Sequence, residues 1–121
     1  MSLTFDVEIV LRERDYAVTE RIAIPEAAAK AADWTEQDVE LVLKQILLAI
    51  DRVKNPDAAQ RYVALRGFSW IAEPTPEGVV IAIEIPMGAA VAGPFAIEEA
   101  ALSRLITRAI ASAAPMKPVV H

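Results

Sequence analysis

The sequence has no cysteine and only one histidine, and these two gaps remove much of the side-chain chemistry that enzymes use. Without cysteine there is no thiolate nucleophile, no disulfide and no zinc–thiolate site. The single histidine, His121, is the last residue and comes after Pro115 and Pro118. We expect it to lie on a flexible C-terminal tail over residues 114–121. The commonest general bases and nucleophile pairs are therefore missing, and we predict no catalytic residue, no metal site and no cofactor.

Carboxylates are the remaining candidates for catalysis, and four of them stand close together in pairs. Asp38 lies near Glu40, and Glu98 is next to Glu99. Acid–base work by such a pair needs one carboxyl group removed from water, with a raised pKa. All four fall near the starts of predicted helices, where negative charge interacts favourably with the helix dipole. We therefore favour a non-enzymatic function, although catalysis by a carboxylate pair stays open.

The chain also lacks a dense basic run and a long apolar run. Its formal net charge is −5 and its 12 lysine and arginine residues are scattered, whereas a phosphate backbone favours a basic face. Nucleic acid is therefore disfavoured as a partner. The longest uncharged stretch, 85–97, is shorter than the roughly 20 residues of a membrane-spanning helix. The first residues show no basic region followed by an apolar run, so we expect a cytoplasmic protein with no membrane partner.

Apolar side chains, in contrast, are abundant and make up 55% of the 121 residues. A chain of this length is typical of one domain and can bury a core without a disulfide or a metal ion. We expect a single α+β domain over residues 1–113. The apolar content is rich for a soluble protein, which leaves material for an interface as well as for a core.

Hydrophobic periodicity predicts the secondary structure. Phe5, Val7 and Ile9 alternate with charged residues, as in a strand with one buried face. Thr35 is a suitable helix N-cap, and Asp38, three positions later, completes a variant of the capping box. The predicted elements are, in order, a strand over 5–11, a charged turn over 12–15, a strand over 16–24, a helix over 35–53, strands over 61–73 and 78–85, a loop over 87–94 and a helix over 96–113.

The two halves of the chain resemble each other. An aromatic residue stands nine positions after the proline that ends each predicted hairpin: Trp34 after Pro25, and Phe95 after Pro86. An internal repeat over about 3–54 and 62–113 predicts a ββαββα fold, with a four-stranded antiparallel sheet and both helices packed on one face. The alternative is chance similarity between two ordinary hairpin–helix units.

The segment Arg66-Gly67-Phe68-Ser69-Trp70-Ile71 resembles, over these six residues, the first ribonucleoprotein motif of RNA-recognition domains. In that family a basic residue, a glycine and two alternating aromatic residues let bases stack on an open sheet. The order of elements differs, because the motif strand closes the central hairpin in that family and opens one here. RNA binding through Arg66–Trp70 is therefore a lesser alternative.

The predicted sheet has more apolar side chains than one face can bury. On the third strand Phe68 and Trp70 share one parity and Ile71 has the other. Large apolar groups therefore face outward in either case, unless a bulge at Gly67 switches the parity. A face of this kind needs a cover.

The first helix shows a similar surplus. Leu41 and Leu48 fall about 180° from its core stripe at 100° per residue, beside Lys44. A partner surface, the chain's own tail and plain exposure remain open for these two leucines.

The sequence therefore predicts a small non-enzymatic assembly or binding module that self-associates as a homodimer. Its interface candidates are Leu41, Lys44, Leu48, Phe68 and Trp70. The alternative is a small-molecule binding protein or enzyme, with a pocket between the outer sheet face and the 87–94 loop. Its ligand-binding candidates are Arg66, Phe68, Trp70, Met87, Gly88 and Gly93.

Overall fold

The structure, a computed structural model, describes residues 3–58 and 63–113. Its elements are, in chain order, β1 (Leu3–Leu11), β2 (Ala17–Ile24), a short 3-10 helix (Ala31–Asp33), α1 (Glu36–Lys54), β3 (Ser69–Thr75), β4 (Gly78–Ile85), β5 (Gly88–Phe95) and α2 (Glu99–Ala113). The tail predicted over 114–121, including His121, lies outside the described residues. So does the start of the strand predicted from residue 61.

Five antiparallel strands form one sheet in the order β2-β1-β5-β4-β3. The prediction of a four-stranded sheet was wrong, because segment 87–94, expected to be a loop, forms most of β5. This strand lies between β1 and β4 and pairs with both. Glycine, alanine and proline make up most of it and are depleted in strands generally, so its composition carries no strand signal. Its conformation is decided by backbone pairing on both sides.

β1 shows how the sheet divides into two faces. Its side chains alternate between buried and exposed from Leu3 to Leu11. The register carries this parity across the sheet, since Ile9 pairs with Ala90 and Ala90 pairs with Ile83. α1 lies against β1, β2 and β5, and α2 packs beside α1 and against β3. Both helices therefore cover the same face, and the core lies between them and the sheet.

α1 begins with the predicted cap. The Asp38 backbone N–H donates to Thr35 Oγ1 over 3.3 Å, and the Thr35 N–H donates to the Asp38 carboxylate over 3.1 Å. The predicted capping box is thus confirmed. From this start the helix buries one long apolar stripe, in which Ile46 and Ile50 have no exposed surface.

Three aromatic rings pack together where β5 ends. Phe95 makes edge contacts with Trp34, at 4.9 Å between ring centroids, and with Phe5, at 5.3 Å. The Trp34 indole N–H donates to the Ala28 carbonyl oxygen over 2.9 Å, so its polar atom is satisfied. The two aromatic residues that suggested an internal repeat are therefore in contact with each other. The repeat itself stays a prediction.

Two ion pairs connect the last turn of α1 to the β1–β2 hairpin. Arg52 pairs with Glu20 on β2 at 2.9 Å, and Lys54 pairs with Glu13 in the turn. The hydrogen bond from the Lys54 ammonium group holds the pKa of the Glu13 carboxyl below its usual value. Ion pairs this open to water contribute little stability, so we assign them a part in orienting the helix end.

Gly88 begins β5 and lies close to the backbone of β1. A Cβ atom at this position would lie 2.4 Å from the Val10 carbonyl oxygen, which belongs to the neighbouring backbone and cannot move away freely. Gly67 differs, because its φ is +76° but a Cβ atom there would have open space, with no neighbouring atom within 4 Å.

We expect Gly88→Ala to lower the free energy of unfolding by about 3 kcal/mol, since it overpacks two paired backbones. Gly67→Ala should cost only about 1 kcal/mol, the conformational penalty for a side chain in the left-handed region. Urea unfolding of both variants measures the difference. Equal losses would contradict the close pairing of β5 with β1.

Candidate functional site

The face of the sheet turned away from the helices exposes three large aliphatic side chains. Ile71 is 54% exposed, Val10 42% and Val91 41%. They lie on β3, β1 and β5, and the smaller Ala82 and Ala89 lie between them on the same face. We call these five residues the outer patch. It spans four of the five strands.

The strand register determines the shape of the outer patch. Val91 pairs with Ala82, and Ala82 pairs with Ile71, so this row reads large, small, large. The alanine leaves a hollow between two branched side chains, within an open depression of about 510 Å³. Small-molecule sites bury most of their ligand in a cleft. This open and shallow surface is better suited to contact with another apolar surface.

Carboxylates border the outer patch. Glu8, Glu73 and Glu84 face outward on β1, β3 and β4, and within residues 3–58 and 63–113 no ion pair involves them. The neighbouring Asp6 is paired with Arg21 at 3.1 Å. Among the described residues, this face thus carries three carboxylates without an ion pair beside its apolar centre.

Both edge strands carry features that oppose pairing with another sheet. β3 contains Pro74, which has no N–H to donate. β2 points Glu20 toward the helix side of the sheet, where Arg52 pairs with it. Proline and an inward-pointing charge are recognised protections of free sheet edges. Edge-to-edge association is therefore disfavoured, and the outer patch is the better contact surface.

The two aromatic interface candidates pack against the core instead of joining the outer patch. Trp70 pairs with the buried Ile83, which gives it the helix-side parity, and it is half-buried there. Phe68 precedes β3 and is also half-buried against the core. Ile71, which has the opposite parity, is the exposed large apolar residue of this segment.

The helix candidates are partly covered. Leu41 is half-buried and packs against the core, and Leu48 is half-buried. Lys44 pairs with Glu40 one helical turn away, at 2.8 Å. This surface of α1 is therefore separate from the outer patch and less exposed than it.

Three of the predicted ligand-binding residues belong to β5 or its preceding turn. Met87 is 36% exposed in the β4–β5 turn, and Gly88 begins β5. Gly93 lies five residues further on, roughly 17 Å away at about 3.4 Å per residue. Because these residues form a strand and not a loop, they do not enclose a pocket against the sheet.

The other three ligand candidates, Arg66, Phe68 and Trp70, are also not gathered into one cavity. Phe68 lines a cleft of about 470 Å³ together with Arg12. Trp70 borders the open depression of about 510 Å³ on the outer face. Because its side chain points to the helix side, only its backbone faces this depression. Arg66 is exposed and lines neither of them.

None of the five outer-patch residues was among the predicted site residues, and Val10 and Val91 were missed for different reasons. Val10 follows Asp6 and Glu8 at intervals of two residues, so the sequence was sufficient to predict that its side chain points outward. Val91 lies in the segment predicted to be a loop, where no parity could be assigned. Its exposure follows from pairing with Glu8, which only the folded sheet shows.

The chain matches no protein-family model, no curated protein and no solved structure. Among the described residues, no helix combines the length and apolar character needed to span a bilayer. In the same part of the chain, no group of three or more acidic or histidine side chains could hold a metal ion.

Substitutions of two isoleucines on neighbouring strands, one on each face of the sheet, test the exposure of the outer patch. Ile71→Ala should lower the free energy of unfolding by less than about 1 kcal/mol, because the side chain is already half in water. Ile83→Ala on the neighbouring strand should cost about 3–4 kcal/mol, because it leaves a cavity in the core. Urea unfolding at low protein concentration compares them. A large loss at Ile71 would mean that something already covers the face.

Proposed function

We propose that the protein is a non-enzymatic assembly module of the cytoplasm that forms homodimers through the outer patch. The observation that carries the proposal is the exposure of Val10, Ile71 and Val91 together on one sheet face. Single exposed apolar side chains need no explanation, but a contiguous apolar patch with a polar border marks an interaction surface. The cysteine-free composition suits a reducing compartment.

A second copy is the proposed partner because the outer patch is complementary to itself. In a twofold dimer the same patch of both subunits meets. The row Val91, Ala82, Ile71 places a small side chain between two large ones, so a large side chain of one copy can enter the alanine hollow of the other. In the next row Ala89 stands between Val10 and the carboxylate Glu84, so the apolar relief ends there. Sheets stacked in this way stand about 10 Å apart.

The size of the face predicts a dimer of modest affinity. Five strands about 4.8 Å apart and seven residues long make a face of roughly 24 by 24 Å, or about 600 Å² per copy. Stable interfaces bury about 800 Å² per partner. We therefore expect a dimer that dissociates in the micromolar range.

Small-molecule binding is the second candidate function. The cleft of about 470 Å³ is lined by the guanidinium-bearing Arg12, the half-buried ring of Phe68, the hydroxyl of Ser69 and the carboxylate of Glu84. Ligand sites combine apolar surface with a few polar groups in this way. A metabolite that raises the melting temperature of the protein, but not that of Phe68→Ala, would support this function.

RNA binding has less support. Stacking of bases on a sheet needs outward aromatic side chains, and Trp70 has the helix-side parity. The outward face instead carries Glu8, Glu73 and Glu84, which repel a phosphate backbone.

Sedimentation equilibrium over micromolar concentrations tests the homodimer. We expect wild-type protein to associate and Val91→Glu to remain monomeric, because the new carboxylate would lie in the centre of the patch without a partner. Leu48→Glu on α1 is the matched control and should associate as wild type does. A wild-type monomer at all concentrations, or dimers that only Leu48→Glu abolishes, would rule out the outer patch.

Salt concentration provides a separate test. Two stacked faces bring the uncompensated carboxylates of both copies close together, so screening at about 1 M salt should strengthen the dimer. Glu84→Gln should strengthen it at low salt for the same reason. Dimers that weaken as salt rises would instead indicate contacts between opposite charges.

A further inference from the structure

A groove of about 460 Å³ runs between α2 and the segment around the 3-10 helix. Its apolar lining consists of Trp34, which faces α2, and of Ile97, Ala101 and Leu105. The groove lies on the helix side of the sheet and shares no residue with the outer patch. Anything bound there is therefore independent of the proposed dimer.

Two arginines border one end of this groove. Arg104 and Arg108 are one helical turn apart on α2, a spacing that places their side chains next to each other, and both are exposed. Within the described ranges neither makes an ion pair or a side-chain hydrogen bond, whereas Arg21 and Arg52 each pair with a carboxylate. We call this cavity the arginine groove.

The charge within the groove is uneven. Glu98 lines the opposite end, and at 1.5 Å per residue it lies roughly 15 Å along the helix from Arg108. One end of the groove is therefore strongly cationic and the other weakly acidic, with apolar surface between them. Like charges at this spacing destabilise a helix slightly. The chain has 17 acidic residues against 12 basic ones, so unpaired arginines are not explained by a shortage of carboxylates.

The wall opposite α2 is rigid and apolar. Trp34 is 5% exposed, its indole N–H is bonded to Ala28, and its ring is held by the edge contact with Phe95. A hydrocarbon or aromatic group entering the groove would meet this wall on one side and Leu105 on the other. No polar atom of the tryptophan competes for that contact.

We propose that the arginine groove binds an amphipathic organic anion. Its carboxylate or phosphate head lies between Arg104 and Arg108, where guanidinium groups make charge-assisted, bidentate hydrogen bonds to such oxygens. Its apolar body extends over Leu105 and Ala101 toward Trp34. A volume of about 460 Å³ is within the range of small-molecule sites.

Tryptophan fluorescence can follow binding directly. In Trp70→Phe protein the emission reports Trp34, since these are the two tryptophans of the chain. We expect decanoate to change this emission saturably, and we expect 2-naphthyl phosphate, whose own absorption and emission overlap those of tryptophan, to give a saturable heat in a calorimetric titration. Inorganic phosphate should bind at least about tenfold more weakly, because it lacks an apolar body, and decylamine should not bind. Tighter decanoate binding would assign an aliphatic body, and tighter naphthyl phosphate binding an aromatic one.

A pair of matched double variants tests the role of the arginines. Arg104→Gln/Arg108→Gln should weaken binding of the preferred anion by about tenfold or more, the loss expected for a charge-assisted hydrogen bond. Arg14→Gln/Arg66→Gln changes the net charge equally but lies outside the groove, and should leave the affinity within about twofold. Equal weakening in both, or no saturation by either amphipathic anion at millimolar concentration, would overturn the proposal.

A third variant keeps both arginines and enlarges the side chain at Ala101 in the apolar part of the arginine groove. Ala101→Leu should weaken the amphipathic anions at least about tenfold while leaving the weak binding of inorganic phosphate unchanged. Thermal unfolding of each variant confirms that it is folded at the temperature of the titration. Undiminished decanoate and naphthyl phosphate binding in folded Ala101→Leu would place the apolar body elsewhere and contradict this site.

Discussion

The pairing of β5 with both β1 and β4 is the interaction on which the rest of the structure depends. β5 is the strand that joins the β1–β2 hairpin to the β3–β4 hairpin, and within the described residues the sheet has no other connection between them. The pairing also requires that two backbones come close at Gly88. One continuous core, and one continuous outer face, both follow from this strand.

The small side chains of β5 shape both of those faces. On the helix side, Ala90 and Ala92 are fully buried beside the isoleucines of β1 and β4, and α1 lies directly over them. A large residue there would hold the helix away from the sheet. On the other face, the small side chain of Ala89 leaves a shallow depression beside Val10 and Val91 in the outer patch. The small side chains of β5 therefore permit close helix packing on one face of the sheet and leave hollows on the other face.

Sequence patterns predicted the elements that are determined locally and missed those determined by distant pairing. The alternation of β1 and the capping box at Thr35 are local signals, and both are confirmed by the structure. β5 has no such signal, since most of its residues are depleted in strands, and it becomes a strand through pairing with β1, which lies far away in the sequence. The same error led to the expectation of a pocket beside Met87, Gly88 and Gly93, which lie in β5 or the turn before it. The four-residue spacing of Arg104 and Arg108 already indicates that they are neighbours on a helix. The groove beside them depends on Trp34, which only folding brings next to α2.

The position of β5 in the chain also determines when the sheet can assemble. Val7 pairs with Ala92, so the centre of the sheet joins residues from nearly opposite ends of the described chain. During synthesis the first hairpin, α1 and the second hairpin must all emerge before their connecting strand is available. Contacts between such distant residues form late and slow the folding of a domain. Until residues 88–95 leave the ribosome, the apolar sides of two separate hairpins stay open to chaperones and to neighbouring chains.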